Sequence, residues 1–364
     1  MANSTNSTIK LSSEHQFSHE LAALKAADHF PKPYRWELSP QAVLVYILGG
    51  SLAGNVQISP KYLGNKNLVE VAIASLLSDR ALLFTGIPGT AKTWLSEHLA
   101  AAISGSSKML IQGTAGSTEE QLRYGWNYAE LIANGPSQKA LVPSPVMKAM
   151  ELGSIVRVEE LSRMPSEVQD ALITILSEKT IAIPELNSEV LATEGFNLIA
   201  TSNDKDKGVY EMSAALRRRF NIVVLPLPKN LEEELNIVVY RVKQLAKPIG
   251  LSFEELKKQQ LEKLIHIFRE LRSGVSVDGK QKIKMVNSNL SPAEAISIVH
   301  QARIEAFYFE NNKLQTKALA QGLINSVGIN KNDEIVALQD YNETVLKKRS
   351  EFKDWYTAFK EILY

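Results

Sequence analysis

The 364-residue chain contains no cysteine, which removes disulfides, iron–sulfur clusters, thiolate zinc sites and a cysteine nucleophile together. It has no excess of charge of either sign. Lys and Arg number 41 against 40 Asp and Glu, a formal net charge of +1, so no strong field points to nucleic acid or to an anionic membrane. Long apolar runs are missing too. The longest, residues 42–53, holds Gly49, Gly50 and Ser51 and is shorter than the ~20 residues a spanning helix needs. The start, MANSTNSTIKLSSE, lacks the basic region and apolar stretch of a signal peptide. These absences lead to the expectation of a soluble, cytoplasmic protein without membrane or nucleic-acid partners.

At ~150 residues per domain the length suggests about two domains. Residues 1–12 have the Ser/Thr/Asn composition of a disordered leader, and 1–60 as a whole read as a partly disordered, partly helical extension. Within it His15 and His19 stand four apart on an expected helix, a spacing that can hold a metal, but no third ligand is near and a solvated face is expected. From 61 to 227 short apolar runs alternate with helical patterns. The candidate strands are Ala81–Thr85, 109–111, 155–158, Asn197–Thr201 and 221–225, each separated by enough chain for a crossover helix. That pattern predicts a parallel sheet covered on both sides. Residues 180–183 and 189–191 read as a small β-hairpin around Pro184. From 228 to 364 the period becomes helical: Phe253, Leu256, Leu264, Phe268 and Leu271 follow 3.6-residue spacing, and Ser291-Pro292-Ala293-Glu294 is a capping box.

The strongest chemical signal is Gly86-Ile87-Pro88-Gly89-Thr90-Ala91-Lys92-Thr93, between a predicted strand and a predicted helix. A phosphate-binding loop needs small residues so that successive N–H groups turn inward, a Lys for the β and γ phosphates and a hydroxyl for Mg²⁺. Lys92 and Thr93 supply the last two. Ala91 occupies a position where Gly is usual.

Glu159 and Glu160 follow the run 155–158, at the C-terminal end of a buried strand where ligands of parallel sheets gather. Consecutive strand residues point opposite ways, so one can face the Mg²⁺ shell while the other turns toward the γ-phosphate. Asn203 ends the strand Asn197–Thr201, and an amide there could orient an attacking water. The run Arg217-Arg218-Arg219 precedes the fifth strand. One of these can cross a subunit interface as an arginine finger. Trp126 and Tyr128 lie in a segment that could protrude, although isolated aromatics are expected to face the core.

These residues resemble the AAA+ ATPases, and within them the MoxR-type and dynein-related group. The resemblance rests on the loop GIPGTAKT, the acidic pair followed by Leu161-Ser162-Arg163-Met164-Pro165, the hairpin before the Ala200-Thr201-Ser202-Asn203 strand end, and Leu216-Arg217-Arg218-Arg219-Phe220. The segments 112–120 and 211–216 are similar to a MoxR-like subset. The resemblance implies an α/β fold: a P-loop, three-layer αβα parallel-sheet domain followed by a smaller α-helical lid. It implies ATP with Mg²⁺ bound between subunits of a homo-oligomeric ring, usually a hexamer, that remodels a protein substrate or acts with a von Willebrand A-domain partner. It places nucleotide at Leu63, Gly64, Gly86, Pro88, Gly89, Thr90, Ala91, Lys92, Thr93 and Trp94, with Tyr62-Leu63-Gly64 on the adenine side. It assigns Thr93 and Glu159 to Mg²⁺, Glu160 to water activation, Asn203 to sensor 1, and Arg219, with Arg217 as a second candidate, to the finger.

Two departures stand out. The metal-side acid is ordinarily Asp, so the longer Glu159 must sit back or alter the water network, and Glu159→Asp is expected to be tolerated. The lid usually supplies an Arg where Ala293 follows Ser291-Pro292. Either another lid residue reaches the γ-phosphate or lid closure is weakly coupled to nucleotide. Three other readings remain: a non-hydrolysing ATP-binding scaffold, a P-loop kinase or GTPase, and a DNA-translocating motor, which rests on kinship alone and gains no support from the net charge of +1. Asn330-Lys331-Asn332-Asp333 matches a guanine-specific pattern, but it lies in the helical region and the chain has no Asp-x-x-Gly.

Overall fold

The computed structural model describes residues 11–52, 56–203, 208–250, 258–277, 279, 281–286, 290–328 and 332–364. One compact unit comprises Met1–Gly86 and Ala91–Leu225. It opens with helices α1 (Ser13–Gln16), α2 (Ser18–Ala27), α3 (Pro40–Leu48) and α4 (Lys66–Leu76), then β1 (Ala81–Thr85), α5 (Lys92–Ser104), β2 (Leu110–Gln112) and α6 (Glu119–Leu122). A small excursion follows, β3 (Tyr124–Trp126), α7 (Tyr128–Asn134) and β4 (Leu141–Pro143). The unit continues through α8 (Pro145–Leu152), β5 (Ile155–Glu159), α9 (Ser166–Ser177), β6 (Thr180–Ile183), β7 (Ser188–Leu191), β8 (Asn197–Thr201), α10 (Ala214–Arg217) and β9 (Phe220–Val224).

The sheet runs β2-β5-β8-β1-β9 with every pair parallel. The strands β1, β5 and β8 are buried at every position because helices cover both faces. Alternation along the strands divides the core. Leu82, Phe84, Ile155 and Ile199 meet Val43, Ile47, Val69 and Leu99 from α3, α4 and α5. Leu83, Val156, Val158, Leu198 and Ala200 meet Met147, Leu172 and Ile175 from α8 and α9. This is the three-layer αβα arrangement read from the sequence.

Strand limits shift by one residue where the neighbour decides them: Phe220 pairs with Ala81, and Gln112 with Glu159, so β9 begins earlier and β2 and β5 end later than the apolar runs. The hairpin β6–β7 starts its return at Ser188, opposite Ile183. Asn187 takes the left-handed conformation (φ 48°) that closes its turn. The hairpin β3–β4, in which Trp126 pairs with Leu141, was not expected. Trp126 is half-buried against the α8–α9 side of the core, but Tyr128 is 63% exposed, contrary to expectation. It opens α7, a seven-residue helix with no buried residue. The helix expected to carry both His15 and His19 breaks at Phe17, which puts them on α1 and α2 separately. Both are exposed, and no metal-holding cluster occurs among the described residues.

The second unit comprises Ile87–Thr90 and Pro226–Tyr364. Its helices are α11 (Leu231–Ala246), α12 (Lys258–Ser273), α13 (Pro292–Phe309), α14 (Thr316–Val327), α15 (Asn332–Thr344) and α16 (Lys353–Leu363). Their core holds Leu264, Phe268, Leu271, Val299, Leu323 and Trp355. Phe253, Leu256, Asn330 and Lys331 lie outside the described residues. Ser291 caps α13, its Oγ accepting from the Glu294 N–H at 3.4 Å, with Pro292 at the first helical position. No helix among the described residues is long and apolar enough to cross a membrane.

Glu270 shows how this core holds a charge. Its carboxylate is fully buried and accepts from both Arg349 Nη atoms (3.1 and 3.0 Å), the Tyr341 hydroxyl (2.5 Å) and the Val277 N–H (2.8 Å). Burial and the facing carboxylate push the Tyr341 phenol well above its ordinary pKa, so it remains a donor. Removing one partner of a buried pair strands the other. Glu270→Ala is therefore expected to cost ~3 kcal/mol, read as a lowered urea midpoint; an unchanged midpoint would show that the network contributes nothing.

Candidate functional site

The loop between β1 and α5 is built from sharp turns. Gly86 and Gly89 have φ of 140° and 76°, and Ala91 sits in the left-handed region at 70°. A Cβ in that region costs ~1 kcal/mol, so Ala91 carries local strain where a glycine would not. Ala91 also makes no side-chain cap for α5, and the first N–H groups of an uncapped helix are donors suited to an anion. Lys92 is buried and folds back over the loop, donating from Nζ to the Gly86 carbonyl at 2.8 Å. Thr90 Oγ1 donates to the Ile87 carbonyl at 2.9 Å.

The segment leading into Leu63 and Gly64 is tied to α3 by its backbone N–H groups and to α5 by the Trp94 side chain. The N–H groups of Lys61 and Tyr62 both donate to the Ile47 carbonyl at the end of α3. The Lys61 carbonyl accepts from Trp94 Nε1 at 2.8 Å, so Trp94 joins this segment to the first turn of α5, which also carries Thr93. The Lys61 ammonium lies over the Phe17 and Tyr46 rings and pairs with Glu20 at 2.5 Å. Burial lowers its pKa against the pull of Glu20.

Glu159 is 1% exposed at the end of β5. Its Oε2 accepts from Thr93 Oγ1 (2.8 Å) and Thr201 Oγ1 (2.6 Å), and its Oε1 from Ser96 Oγ and Arg157 Nη2 (2.8 Å). The expectation that strand alternation separates Glu159 from Glu160 is corrected. The strand ends at Glu159, and Glu160 takes the left-handed conformation at φ 55°, so a backbone kink redirects its side chain. The kink is held by the Glu160 N–H donating to Thr201 Oγ1 at 3.0 Å. Asn203 Nδ2 then donates to both Glu160 oxygens, at 2.7 and 2.8 Å, and Arg163 Nε lies 3.5 Å from Oε2. Asn203 Oδ1 is buried with no hydrogen-bond partner among the described residues, an acceptor open to a donor such as water.

Between α10 and β9, Arg219 donates from Nε to Ser177 Oγ and from Nη1 to the Ala215 carbonyl, both at 2.8 Å. Arg217 and Arg218 are exposed. The sequence reading missed Arg157, Ser96, Thr201 and Gly113. The signal for Arg157 was present as a charge inside a strand whose other residues are apolar.

Gly113 explains itself by proximity. Its N–H donates to the Glu159 carbonyl at 2.7 Å, and an added Cβ would collide with the Glu160 carbonyl oxygen, with the Glu160 carbonyl carbon at 2.9 Å. On the ATPase expectation from the sequence, Gly113→Ala would displace the Glu159–Glu160 peptide and slow phosphate release from ATP at least ~10-fold. A phosphate-release assay beside a melting curve checks this, and an unchanged rate would mean that the acidic pair tolerates the shift.

A family model for the AAA domain of the dynein-related subfamily matches residues 81–220, and one for the C-terminal domain of YehL-like AAA+ ATPases matches residues 232–361. YehL of Escherichia coli (strain K12), an uncharacterised protein, is 38% identical over 350 residues, 94% of each chain. The chain belongs to the YehL-like AAA+ ATPases. An uncharacterised Staphylococcus aureus (strain USA300) protein is 28% identical over 146 residues, 40% of this chain and 55% of that one. Among solved structures, NtrX from Brucella abortus in complex with ATP superposes with a TM-score of 0.49 at 15% identity, covering 81% of this chain and 62% of that one. A RuvB mutant of Thermotoga maritima gives 0.46 at 17% identity, covering 79% and 80%. In this YehL-like chain the residues that the AAA+ resemblance named around Thr93 meet at the C-terminal ends of β5 and β8 and the start of α5.

Proposed function

We propose that the chain is a MoxR-like ATPase that binds ATP with Mg²⁺ and hydrolyses it at the interfaces of a homo-oligomeric, hexameric ring. The cycle remodels or activates a partner protein, and the resemblance in motif order favours one with a von Willebrand A domain. The observation that carries the hydrolytic part is the Asn203–Glu160 clamp, with its open Asn203 Oδ1, beside the Thr93–Glu159 pair.

In this reading Gly86, Pro88, Gly89, Thr90 and Ala91 shape the phosphate cradle and Lys92 leaves the Gly86 carbonyl for the phosphates. Leu63, Gly64 and Trp94 border the adenine. The oxygens of Thr93 and Glu159 are hard donors that suit Mg²⁺; they would hold it directly or through water. When bound, Mg²⁺ neutralises charge on the β and γ phosphates. Glu160 takes a proton from a water that Asn203 Oδ1 orients, the water oxygen bonds to the γ-phosphorus, and ADP departs with the electrons of the broken P–O bond. Arg219, or Arg217, balances transition-state charge from the adjoining subunit.

A scaffold that binds ATP without hydrolysis is the second reading, favoured by the four donors that already fill the Glu159 carboxylate. The first test is thermal stability with ATP or GTP, each with Mg²⁺ or EDTA. A ligand at ~100 times its Kd adds ~2.7 kcal/mol. The expected result is stabilisation by ATP with Mg²⁺ above that by GTP, lost in Lys92→Ala; equal stabilisation of that variant would contradict the site.

A further inference from the structure

The least expected residue near the site is a cation inside the sheet. Arg157 lies at the middle of β5, between β2 and β8, and is 3% exposed. Residues 157 and 159 share one face of the strand, and on that face the guanidinium meets four groups. Nε donates to Ser96 Oγ (3.2 Å), Nη1 to the Ser107 carbonyl (3.1 Å), and Nη2 to the Thr93 carbonyl (3.4 Å) and to Glu159 Oε1 (2.8 Å). Arg157 thus ties the first turns of α5, the segment after α5 and the acid of β5 to one planar fork.

We propose that Arg157 is a positioning residue for Glu159 and that the two side chains form a matched pair. Arg157 and Ser96 hold Oε1 toward the sheet interior, which leaves Oε2 facing Thr93. The extra methylene of Glu159 is what lets one carboxylate span from the guanidinium to the Thr93 hydroxyl. A shorter acid reaches one or the other. This reverses the expectation from the sequence that Glu159→Asp is tolerated: the substitution withdraws the carboxylate and leaves a buried guanidinium short of its charge partner. The pair also sets the charge that the metal side meets, because the internal cation offsets the Glu159 carboxylate before any ligand arrives. The inference rests on the Mg²⁺·ATP reading above.

Three variants test it: Glu159→Asp, Arg157→Leu and the double variant. Arg157→Lys accompanies them, since it keeps the charge without the fork and protects the test against misfolding. Two quantities are read in each: the melting temperature without ligand, and the Mg²⁺ concentration giving half the full stabilisation at saturating ATP. ATP binding in EDTA is the control for a merely structural role. Each single variant is expected to raise the half-saturating Mg²⁺ concentration at least ~10-fold, Arg157→Lys by less, with ATP binding in EDTA unchanged. The double variant is expected to lose less than the sum of the singles in both quantities, the signature of direct coupling. Additive losses, or an Arg157→Leu or Arg157→Lys chain with the parental Mg²⁺ dependence, would overturn the pairing alone. A parent chain stabilised equally by ATP in Mg²⁺ and in EDTA would instead overturn the Mg²⁺·ATP reading and the inference with it.

Discussion

Glu160→Gln is expected to bind ATP as tightly as the parent chain and to release phosphate at least ~10²-fold more slowly, the scale of a lost general base. Gln matches Glu in length, so it can keep its place at the left-handed kink and its contact with Asn203 Nδ2 through its own carbonyl oxygen. What it cannot do is accept a proton from water. Lys92→Ala is the opposite case, because it removes ground-state charge from the phosphates and so abolishes binding. Equal turnover in Glu160→Gln would transfer the role to Glu159. The structure argues against that transfer, since each Glu159 oxygen already accepts from two donors, whereas the Glu160 carboxylate is held by the Asn203 amide and the longer Arg163 ion pair, which must loosen for water to enter.

Arg219→Ala is expected to leave ATP affinity nearly intact and to remove ~10³-fold of the rate, the contribution of a group that acts on transition-state charge. Two of its nitrogens are anchored on Ser177 and the Ala215 carbonyl. The guanidinium is therefore pre-oriented, and Nη2 makes no hydrogen bond among the described residues. If it acts on the site of a neighbouring subunit, specific activity rises with protein concentration. Mixing Lys92→Ala with Arg219→Ala chains then recovers activity, because some interfaces carry Lys92 on one side and Arg219 on the other. Ser177→Ala is expected to give a partial loss by freeing the arginine. Arg217→Ala and Arg218→Ala serve as controls, with Arg217 the next candidate. Concentration-independent activity with no recovery on mixing would defeat the ring.

The sheet was legible in the sequence because its central strands are buried on both faces and so read as unbroken apolar runs; Ala81–Thr85 and Asn197–Thr201 coincide with β1 and β8. The loop at 86–93 was legible because its chemistry is contiguous. Glu160 was found for an incomplete reason. Its orientation comes from a left-handed residue held by Thr201, on a strand 41 residues further along the chain, and no local pattern encodes that. Arg157 went unassigned because its partners, Thr93, Ser96 and Ser107, are brought to it only by the crossover from α5 into β2 and β5. Gly113 is a small residue on account of a neighbouring strand end. The hairpin β3–β4 escaped notice because three-residue strands leave almost no period to read. Tyr128 faces outward because α7 buries none of its residues.

Whether the chain hydrolyses the ATP it binds is read most directly from phosphate released in a single turnover, with the protein in excess over ATP and Mg²⁺ present, followed beside Glu160→Gln. The predicted result is conversion of the bound ATP to ADP and phosphate in the parent chain while the same ATP stays intact on Glu160→Gln. ATP that remains uncleaved on the parent chain for as long as it does on Glu160→Gln would contradict the account and leave a protein that binds the nucleotide without hydrolysing it.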